Sequence, residues 1–282
     1  MINTTILSWV TYVYFTAFVL YFMRMVRGTD IWGRMASITA VVGLIAHSAG
    51  LIMRWSESYT MGIGHAPLTN FYESLIFFAW TIVLLSLIFE WRIKHKGLGV
   101  FVLPLAFLAM AFASLSPNIN SRIQPLIPAL QSNWLTSHVM TCFMGYAAFA
   151  IAFGLACMHF AKNFTRSVTD SQSTFLRFLP SHEGIDELIY HSVALGFVFL
   201  SLGIITGSVW AHYAWGSYWS WDPKETWSLI TWLIYAAMLH SRLVRGWRGT
   251  RMAFMAIIGF AAVLFTYLGV NYLPGLHSYL QS

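Results

Sequence analysis

Long apolar runs separated by short polar stretches dominate this 282-residue chain. A helix needs about 20 apolar residues to cross the ~30 Å hydrocarbon core of a bilayer. Eight runs come close to that length before a charge, a glycine or a proline ends them. The pattern therefore predicts an all-α integral membrane protein, a single polytopic domain over residues 1–282, with helices at Ile6–Val26, Met35–Trp55, Phe71–Trp91, Leu98–Ser116, Leu135–Ala161, Ile189–Ala211, Asp222–Val244 and Met252–Leu273.

The composition supports this class and excludes two others. Hydrophobic residues make up 58% of the chain and charged residues 9%, with a mean hydropathy of +0.65, whereas soluble domains are about one quarter charged. A soluble enzyme is therefore excluded. The cysteines, Cys142 and Cys157, lie ~22 Å apart on one predicted helix, so they cannot pair. Neither belongs to a C-x-x-C-H run, so the chain is not itself a covalent c-type haem carrier.

The basic residues predict an orientation. When the loops are assigned to alternate sides, 13 of the 16 Lys and Arg residues fall on one side, which the positive-inside rule makes cytoplasmic. The formal charge of +6 is thus a topology signal, and no nucleic-acid partner is expected. Both termini and three cations, Arg54, Arg122 and Lys224, are expected outside. The first apolar run has no basic residues before it, so we expect a retained helix and no signal peptide.

Tryptophan is concentrated in one outward segment, residues 210–232, which holds six of the chain's 13 tryptophans. Tryptophans at the lipid headgroup level form aromatic belts. Belts, however, place one or two tryptophans at each helix end, and this density favours a flat apolar surface that stacks on a planar ligand. We predict a loop or interfacial helix that contacts a planar ligand here, with candidate ligand-contacting residues Trp210, Trp215, Trp219, Trp221, Trp227 and Trp232.

A helix-start signal lies inside the same segment. Asp222 is placed as the N-cap, Pro223 as the first helical residue and Glu225 as the third, which is the pattern of a capping box. We therefore assign Asp222 and Glu225 a structural capping role. The cap would fix the angle at which the tryptophans enter the seventh predicted helix.

Histidines supply the candidate metal ligands. His240 lies within a predicted span, where an ionisable residue is a functional candidate, although a neutral histidine can also serve only as a hydrogen-bonding residue. His138 opens the fifth predicted span, and His277 follows Pro274 and Gly275 on the outer side. Bis-imidazole ligation of a haem iron needs two histidines on opposite sides of the ring.

The tryptophan segment also carries a family resemblance. Residues 215–242, which include Trp-Ser-Trp-Asp-Pro-Lys-Glu-Thr-Trp, resemble the tryptophan-rich "WWD" signature of cytochrome c assembly proteins, most closely the CcsA/ResC branch. Further similar stretches lie at residues 64–74, 128–139, 196–211, 269–271 and 275–279. The resemblance covers roughly Gly64 to Tyr279.

The resemblance implies that the protein moves non-covalent haem b to the outer face of a bacterial inner or thylakoid-like membrane. There it would present haem to the C-x-x-C-H motif of an apocytochrome c, as a subunit of a cytochrome c synthase. It implies that His138 and His277 are the external haem-iron ligands and that His240 holds haem within the membrane. A CcsB/ResB-type partner would contribute the second intramembrane ligand. No residue of this chain is expected to be catalytic, since the work is positioning.

Two other functions compete with this interpretation. A b-type electron-transfer subunit would place paired histidines at two depths inside a helix bundle. A haem or small-molecule exporter would line its spans with a polar path, for which only His47 and His240 are central titrating candidates.

Overall fold

The computed structural model describes residues 2–93, 96–168, 176 and 178–273. This part of the chain contains eight helices of 17 to 36 residues and two short 3₁₀ turns, Pro128–Leu130 and Gly269–Tyr272. The helices are α1 Ile2–Arg27, α2 Asp30–Thr60, α3 Phe71–Ile93, α4 Gly99–Leu115, α5 Asn133–Val168, α6 His182–Trp215, α7 Pro223–Arg245 and α8 Thr250–Tyr267.

The fold class predicted from the apolar runs is confirmed, and each predicted span corresponds to one helix. Six of the helices are long and apolar enough to cross a membrane. Of the other two, α4 has 17 residues, and α7 carries charged residues in its first and last turns. Three helices run well beyond the predicted bounds. The longest, α5, extends over ~54 Å at 1.5 Å per residue, so it projects past a ~30 Å hydrocarbon core.

Helix α5 forms the centre of the bundle. It packs against α6 and α8 most extensively and also contacts α3 and α4, and its middle turns are fully buried over residues 147–152. Small residues allow the close approach of α5 and α6, as is common between membrane helices. A Cβ on Gly145 would lie 3.1 Å from the Gly196 carbonyl oxygen. By contrast, α1 and α2 form a peripheral pair with large apolar side chains facing outward.

The turn between α6 and α7 defines one end of the bundle, which we call the tryptophan end. Gly216 ends α6 with a left-handed φ of 78°, a conformation that glycine adopts without strain. The chain then forms an irregular loop up to Asp222, in which Trp221 also has a positive φ of 60°. The middle of the tryptophan segment is thus a loop, and its two ends are helical.

A buried ion pair stabilises the opposite end of the helix bundle. Arg242 near the end of α7 binds Asp186 on α6 and lies 2.8 Å from Glu187. Asp186 also accepts a hydrogen bond of 2.6 Å from the Gly249 N–H, just before α8 begins. One carboxylate therefore holds three helices together where they leave the apolar core.

Candidate functional site

A cavity of about 590 Å³ opens at the tryptophan end. Its walls come from α5, α6, α7 and α8, and from the three connections that follow α2, α4 and α6. The lining is mainly apolar with a few polar groups, which is the usual character of a small-molecule site, and its volume lies within the ~300–1,000 Å³ range of such sites. Five of the lining residues carry the chemistry considered below: His138, Trp210, Trp215, Trp219 and Lys224.

His138 is held in one orientation on the cavity wall. Its Nδ1 lies 2.8 Å from the Gly203 carbonyl oxygen, which can only accept, so Nδ1 carries a proton and, in the neutral ring, the lone pair is at Nε2. Its ring lies nearly parallel to Trp210, at 17° and 5.9 Å between centroids. A Cβ on Gly207 would lie 2.5 Å from Nδ1, so a glycine is needed there to admit the imidazole. Metal-binding histidines are commonly oriented by such a second hydrogen bond.

The six tryptophans divide into two groups. Trp210, Trp215 and Trp219 line the cavity. Trp210 donates a hydrogen bond of 2.9 Å to the Ala129 carbonyl, and its ring meets Trp215 edge to face at 4.9 Å. The aromatic wall is therefore tied to the connection between α4 and α5.

The other three tryptophans face elsewhere. Trp221 is 67% exposed. Trp227 packs on Phe265 of α8 at 4.1 Å between ring centroids. Trp232 donates a hydrogen bond of 2.9 Å to the Ser201 hydroxyl and so joins α7 to α6. The segment is helical at both ends and a loop in the middle, so the side chains of neighbouring tryptophans point in different directions.

The capping box at the start of α7 is formed as its sequence indicates. Asp222 accepts a hydrogen bond of 3.1 Å from the Lys224 N–H, and Glu225 reaches back to the Asp222 N–H at 3.2 Å. Glu225 also accepts from the Ser220 N–H at 2.7 Å. This second bond fixes the loop residue between Trp219 and Trp221, so the cap determines how the tryptophan loop enters α7.

An ion pair that the sequence analysis did not predict stabilises the connections that follow α2 and α4, which form part of the cavity wall. Arg54 at the end of α2 donates from Nε to Glu73 of α3 at 2.8 Å, and both side chains are almost fully buried, at 1% and 0% exposed. Glu73 accepts from the Thr69 N–H at 2.9 Å, and Arg54 donates to the Ser121 carbonyl at 2.8 Å. Thr69 lines the cavity. The pairing could have been anticipated from the sequence, because charged residues in membrane helices are usually paired.

Three other histidines, His240, His47 and His191, do not line the cavity. His240 is exposed on the side of α7, about 18 Å along the helix from Ser228, the last cavity-lining residue of that helix. His47 is fully buried, with Nδ1 3.0 Å from the Tyr14 hydroxyl, and His191 is exposed. His277 lies outside the described residues.

Comparisons with known proteins agree with the fold and with the sequence pattern. Residues 68–277 match the profile of the family described as "Cytochrome C assembly protein". A "Cytochrome c biogenesis protein CcsA" of Chlorella vulgaris is 44% identical over 258 residues, covering 81% of this chain and 80% of that protein. The protein of the same name in Synechococcus is 40% identical over 269 residues, covering 88% and 86%.

A solved structure shares the architecture. The chain superimposes on "Cytochrome c Heme Lyase CcmF" with a TM-score of 0.72, covering 94% of this chain and 46% of that chain. The two sequences are 18% identical, so the likeness shows a common fold, and the longer protein contains about as much again that this chain lacks.

Proposed function

We propose that this chain, which belongs to the cytochrome c assembly protein family and is a relative of the CcsA proteins, is the haem-handling subunit of a membrane cytochrome c synthase. Membership of the family assigns the chain to cytochrome c assembly. The finer role is our inference: the protein would hold haem b as a non-covalent substrate and present it to the C-x-x-C-H motif of an apocytochrome c.

One observation carries the proposal. His138 projects from a cavity wall with its Nδ1 proton donated to a backbone carbonyl, beside a nearly parallel indole ring. That arrangement suits a haem iron, because the neutral imidazole offers Nε2 as an axial ligand. The largely apolar lining suits the faces of a porphyrin. The residues present therefore fit the group.

His277 is proposed as the second axial ligand. The described chain ends at Leu273, after a 3₁₀ turn whose Asn271 binds Lys224 of the cavity wall at 3.2 Å. The four residues from Leu273 to His277 give a maximal reach of about 14 Å. The end of the described chain is thus close enough to the cavity for this role.

The protein would act by positioning. The haem supplies two vinyl groups, and each thioether forms when a cysteine S–H of the apocytochrome adds across one vinyl C=C bond. Cavity residues would hold the ring in a fixed orientation, exclude bulk water from one face and leave the vinyl edge accessible to the incoming thiols. This role requires no acid or base from the chain itself.

His240 is proposed to bind haem within the membrane, with a CcsB/ResB-type partner. Its exposure on the side of α7 leaves room for a ring and a second protein at that position. Trp232 and Ala236 precede it by eight and four residues on the same helix face. An exposed histidine on a membrane helix is costly unless something covers it.

The proposed orientation puts the tryptophan end outside the cytoplasm, in a bacterial inner membrane or a thylakoid-like equivalent. A cysteine placed at Ser217 should react with a membrane-impermeant maleimide in intact cells, above the background of the unsubstituted chain. A cysteine at Arg248, on the exposed loop before α8, should react only after permeabilisation. The reverse pattern would overturn the topology.

Haem transfer is the deciding experiment. Purified protein loaded with haem, with its partner present, should convert an apocytochrome peptide containing C-x-x-C-H to a product whose haem resists acid-acetone extraction. A peptide with both cysteines replaced by serine is the control. Reversible redox cycling with quinol but no transfer would instead identify an electron-transfer subunit.

A further inference from the structure

Two connections of the chain form one part of the cavity wall without a backbone hydrogen bond between them. Residues 61–70 join α2 to α3, and residues 116–132 join α4 to α5. Within these described residues no backbone N–H of one connection donates to a carbonyl of the other. Their relative position therefore depends on side chains. The residues that they contribute to the wall are Leu68 and Thr69 from the first connection and Ile127, Ala129 and Leu130 from the second.

Three described side chains from α2 and the α2–α3 connection contact backbone carbonyl oxygens of the α4–α5 connection. The pairs of atoms are Arg54 Nη1 and the Ser121 oxygen at 2.8 Å, Asn70 Nδ2 and the Arg122 oxygen at 3.5 Å, and His65 Nε2 and the Gln124 oxygen at 3.1 Å. The arginine charge is permanent and the asparagine amide does not titrate. His65 is thus the member of this set whose hydrogen bonds pH can change.

Both ring nitrogens of His65 face carbonyl oxygens. Nδ1 lies 2.9 Å from the Ala66 oxygen, and Nε2 lies 3.1 Å from the Gln124 oxygen. A carbonyl oxygen can only accept, so both nitrogens donate, and a histidine with two N–H donors is the protonated imidazolium. The Ala66 oxygen also accepts from the Leu68 N–H at 2.8 Å. The imidazolium therefore holds the turn that places Leu68 in the cavity wall.

A neutral ring fits this position less well. It has one N–H donor and one lone pair, so one nitrogen would face a carbonyl oxygen with no proton between them. The Thr69 hydroxyl lies 3.5 Å from Nδ1, but it donates to Glu73 at 2.9 Å. His65 is only 7% exposed, so water replaces a lost bond poorly. Loss of the proton thus removes a bond at the wall or turns the Thr69 hydroxyl away from Glu73.

The charges around His65 are balanced. The titratable and charged side chains on the elements packed against it are Arg54, Glu57 and Tyr59 on α2, Tyr72 and Glu73 on α3, and Arg122 on the α4–α5 connection. None of them forms an ion pair with His65 in the described part of the chain. Two acids and two arginines carry no net charge that would oppose an imidazolium. The two carbonyl oxygens therefore decide that the doubly protonated ring is favoured here.

We infer that His65 is a positioning residue, whose doubly protonated ring holds the α2–α3 connection against the α4–α5 connection and so keeps the cavity wall in place. When the ring loses a proton, the two connections open more often. In the proposed orientation His65 lies on the outer side, so this contact responds to the pH outside the cytoplasm. The inference deepens the proposed function and rests on it in one respect, because the ligand that this wall encloses is the proposed haem.

Amide hydrogen exchange in the full-length protein, purified in detergent without haem, tests the contact. Labelling times are scaled to the intrinsic exchange rate at each pH. Peptides covering residues 61–70 and 117–132 should become less protected between about pH 5.5 and about pH 8.5, a range that spans the usual titration of histidine. The expected loss is about tenfold, the lower end of the effect of one hydrogen bond to a charged group. A peptide covering residues 220–226 is the internal control and should keep its protection, since its Ser220, Asp222 and Lys224 N–H groups are bonded to carboxylates.

Two variants sharpen the measurement. His65→Gln supplies a neutral amide, which donates from one nitrogen at every pH. We expect its two peptides to be less protected than those of the unsubstituted protein at the acid end of the range and to change little with pH. His212→Gln is the matched control, because His212 is an exposed histidine that stacks on Tyr218 at 4.2 Å. This variant should keep the full pH dependence.

Each outcome decides the matter. Protection of both peptides that does not change with pH in the unsubstituted protein would overturn the inference without any variant having to fold. A His65→Gln protein that folds and keeps the pH dependence would overturn it as well. Haem transfer to an apocytochrome peptide is a separate measurement, so in both cases the proposed function would stand. If the pH dependence is found and depends on His65 but the protein binds no haem, the contact stands and the proposed function alone fails.

Discussion

His138 and His240 lie in contrasting parts of the same bundle. His138 faces a cavity whose wall fixes its ring through the Gly203 carbonyl and Trp210. His240 lies on an exposed face of α7. The cavity side is shaped by four helices and three connections of this chain, whereas the His240 side has no second wall among the described residues. The chain thus builds most of the proposed outer site itself and presents only one side of the proposed inner site.

This difference is the basis on which we expect a partner at one of the two proposed sites. A ligand in the cavity meets a preorganised surface, so the ordering of its contacts is largely complete before binding. A ligand at His240 would stay exposed to lipid until another protein covered it. We therefore expect the outer site to function in the purified chain and the inner site to depend on a CcsB/ResB-type subunit.

Replacing His138 should have the largest effect on this contrast. In His138→Ala the cavity loses the imidazole proposed as an axial ligand, so we expect most haem at the outer site and nearly all transfer activity to be lost. Added imidazole should restore part of both, because it fits the vacated volume and offers the same nitrogen. His212→Ala is the matched control, since His212 is exposed and stacks on Tyr218 at 4.2 Å. Loss of haem in His212→Ala but not in His138→Ala would contradict the assignment of His138 as a haem ligand. His277→Ala should behave like His138→Ala.

The buried ion pair offers the next largest effect. Glu73→Gln leaves the Arg54 charge buried without its partner, which typically costs about 3–5 kcal/mol of stability. We expect a clear fall in the Tm of the detergent-solubilised protein and faster proteolysis at residues 61–70 and 117–132. Asp30→Asn is the control, because Asp30 also pairs with an arginine but is 71% exposed, and such pairs contribute about 0–1 kcal/mol. Equal losses of stability in the two variants would show that Glu73 does not stabilise this part of the cavity wall.

Two neighbouring tryptophans give a smaller, more selective effect. Trp219→Ala removes part of the cavity wall, and we expect haem affinity to fall about three- to tenfold from lost aromatic contact. Trp221→Ala should change affinity little, since this side chain is 67% exposed. Imidazole should rescue neither variant, because no axial ligand is missing. A larger loss for Trp221 would mean that the loop closes over the ligand in another conformation.

The smallest effect is expected at His240 in the isolated chain. His240→Ala should leave folding and outer-site haem unchanged there, because the imidazole is exposed and packs little. In the complex with the partner the same variant should contain less haem, measured by the pyridine haemochrome assay. Unchanged haem content in repeated preparations of the complex would show that His240 is a lipid-facing residue and does not bind haem.

The helices were predictable because the bilayer imposes a simple rule on sequence. A backbone in hydrocarbon must satisfy its own hydrogen bonds, so each apolar run of sufficient length becomes a helix. Helix ends were less predictable: α5 and α6 continue far past their apolar runs, where tertiary contacts stabilise extra turns. The capping box of α7 was predictable because all its partners are within three residues.

The sequence by itself determined the membrane class, the eight helices and the tryptophan-rich segment, since apolar length and residue density are local properties. Only the tertiary structure decided which side chains share the cavity. Trp219 lines it and Trp221, two residues later, does not. Arg54 is paired with Glu73, and Lys224 lies on the cavity wall beside Asn271. These outcomes depend on the lengths of the helices, on the conformation of the loop and on which charges meet across the bundle. Such positions are defined only once α2, α3, α5, α6 and α7 are packed together.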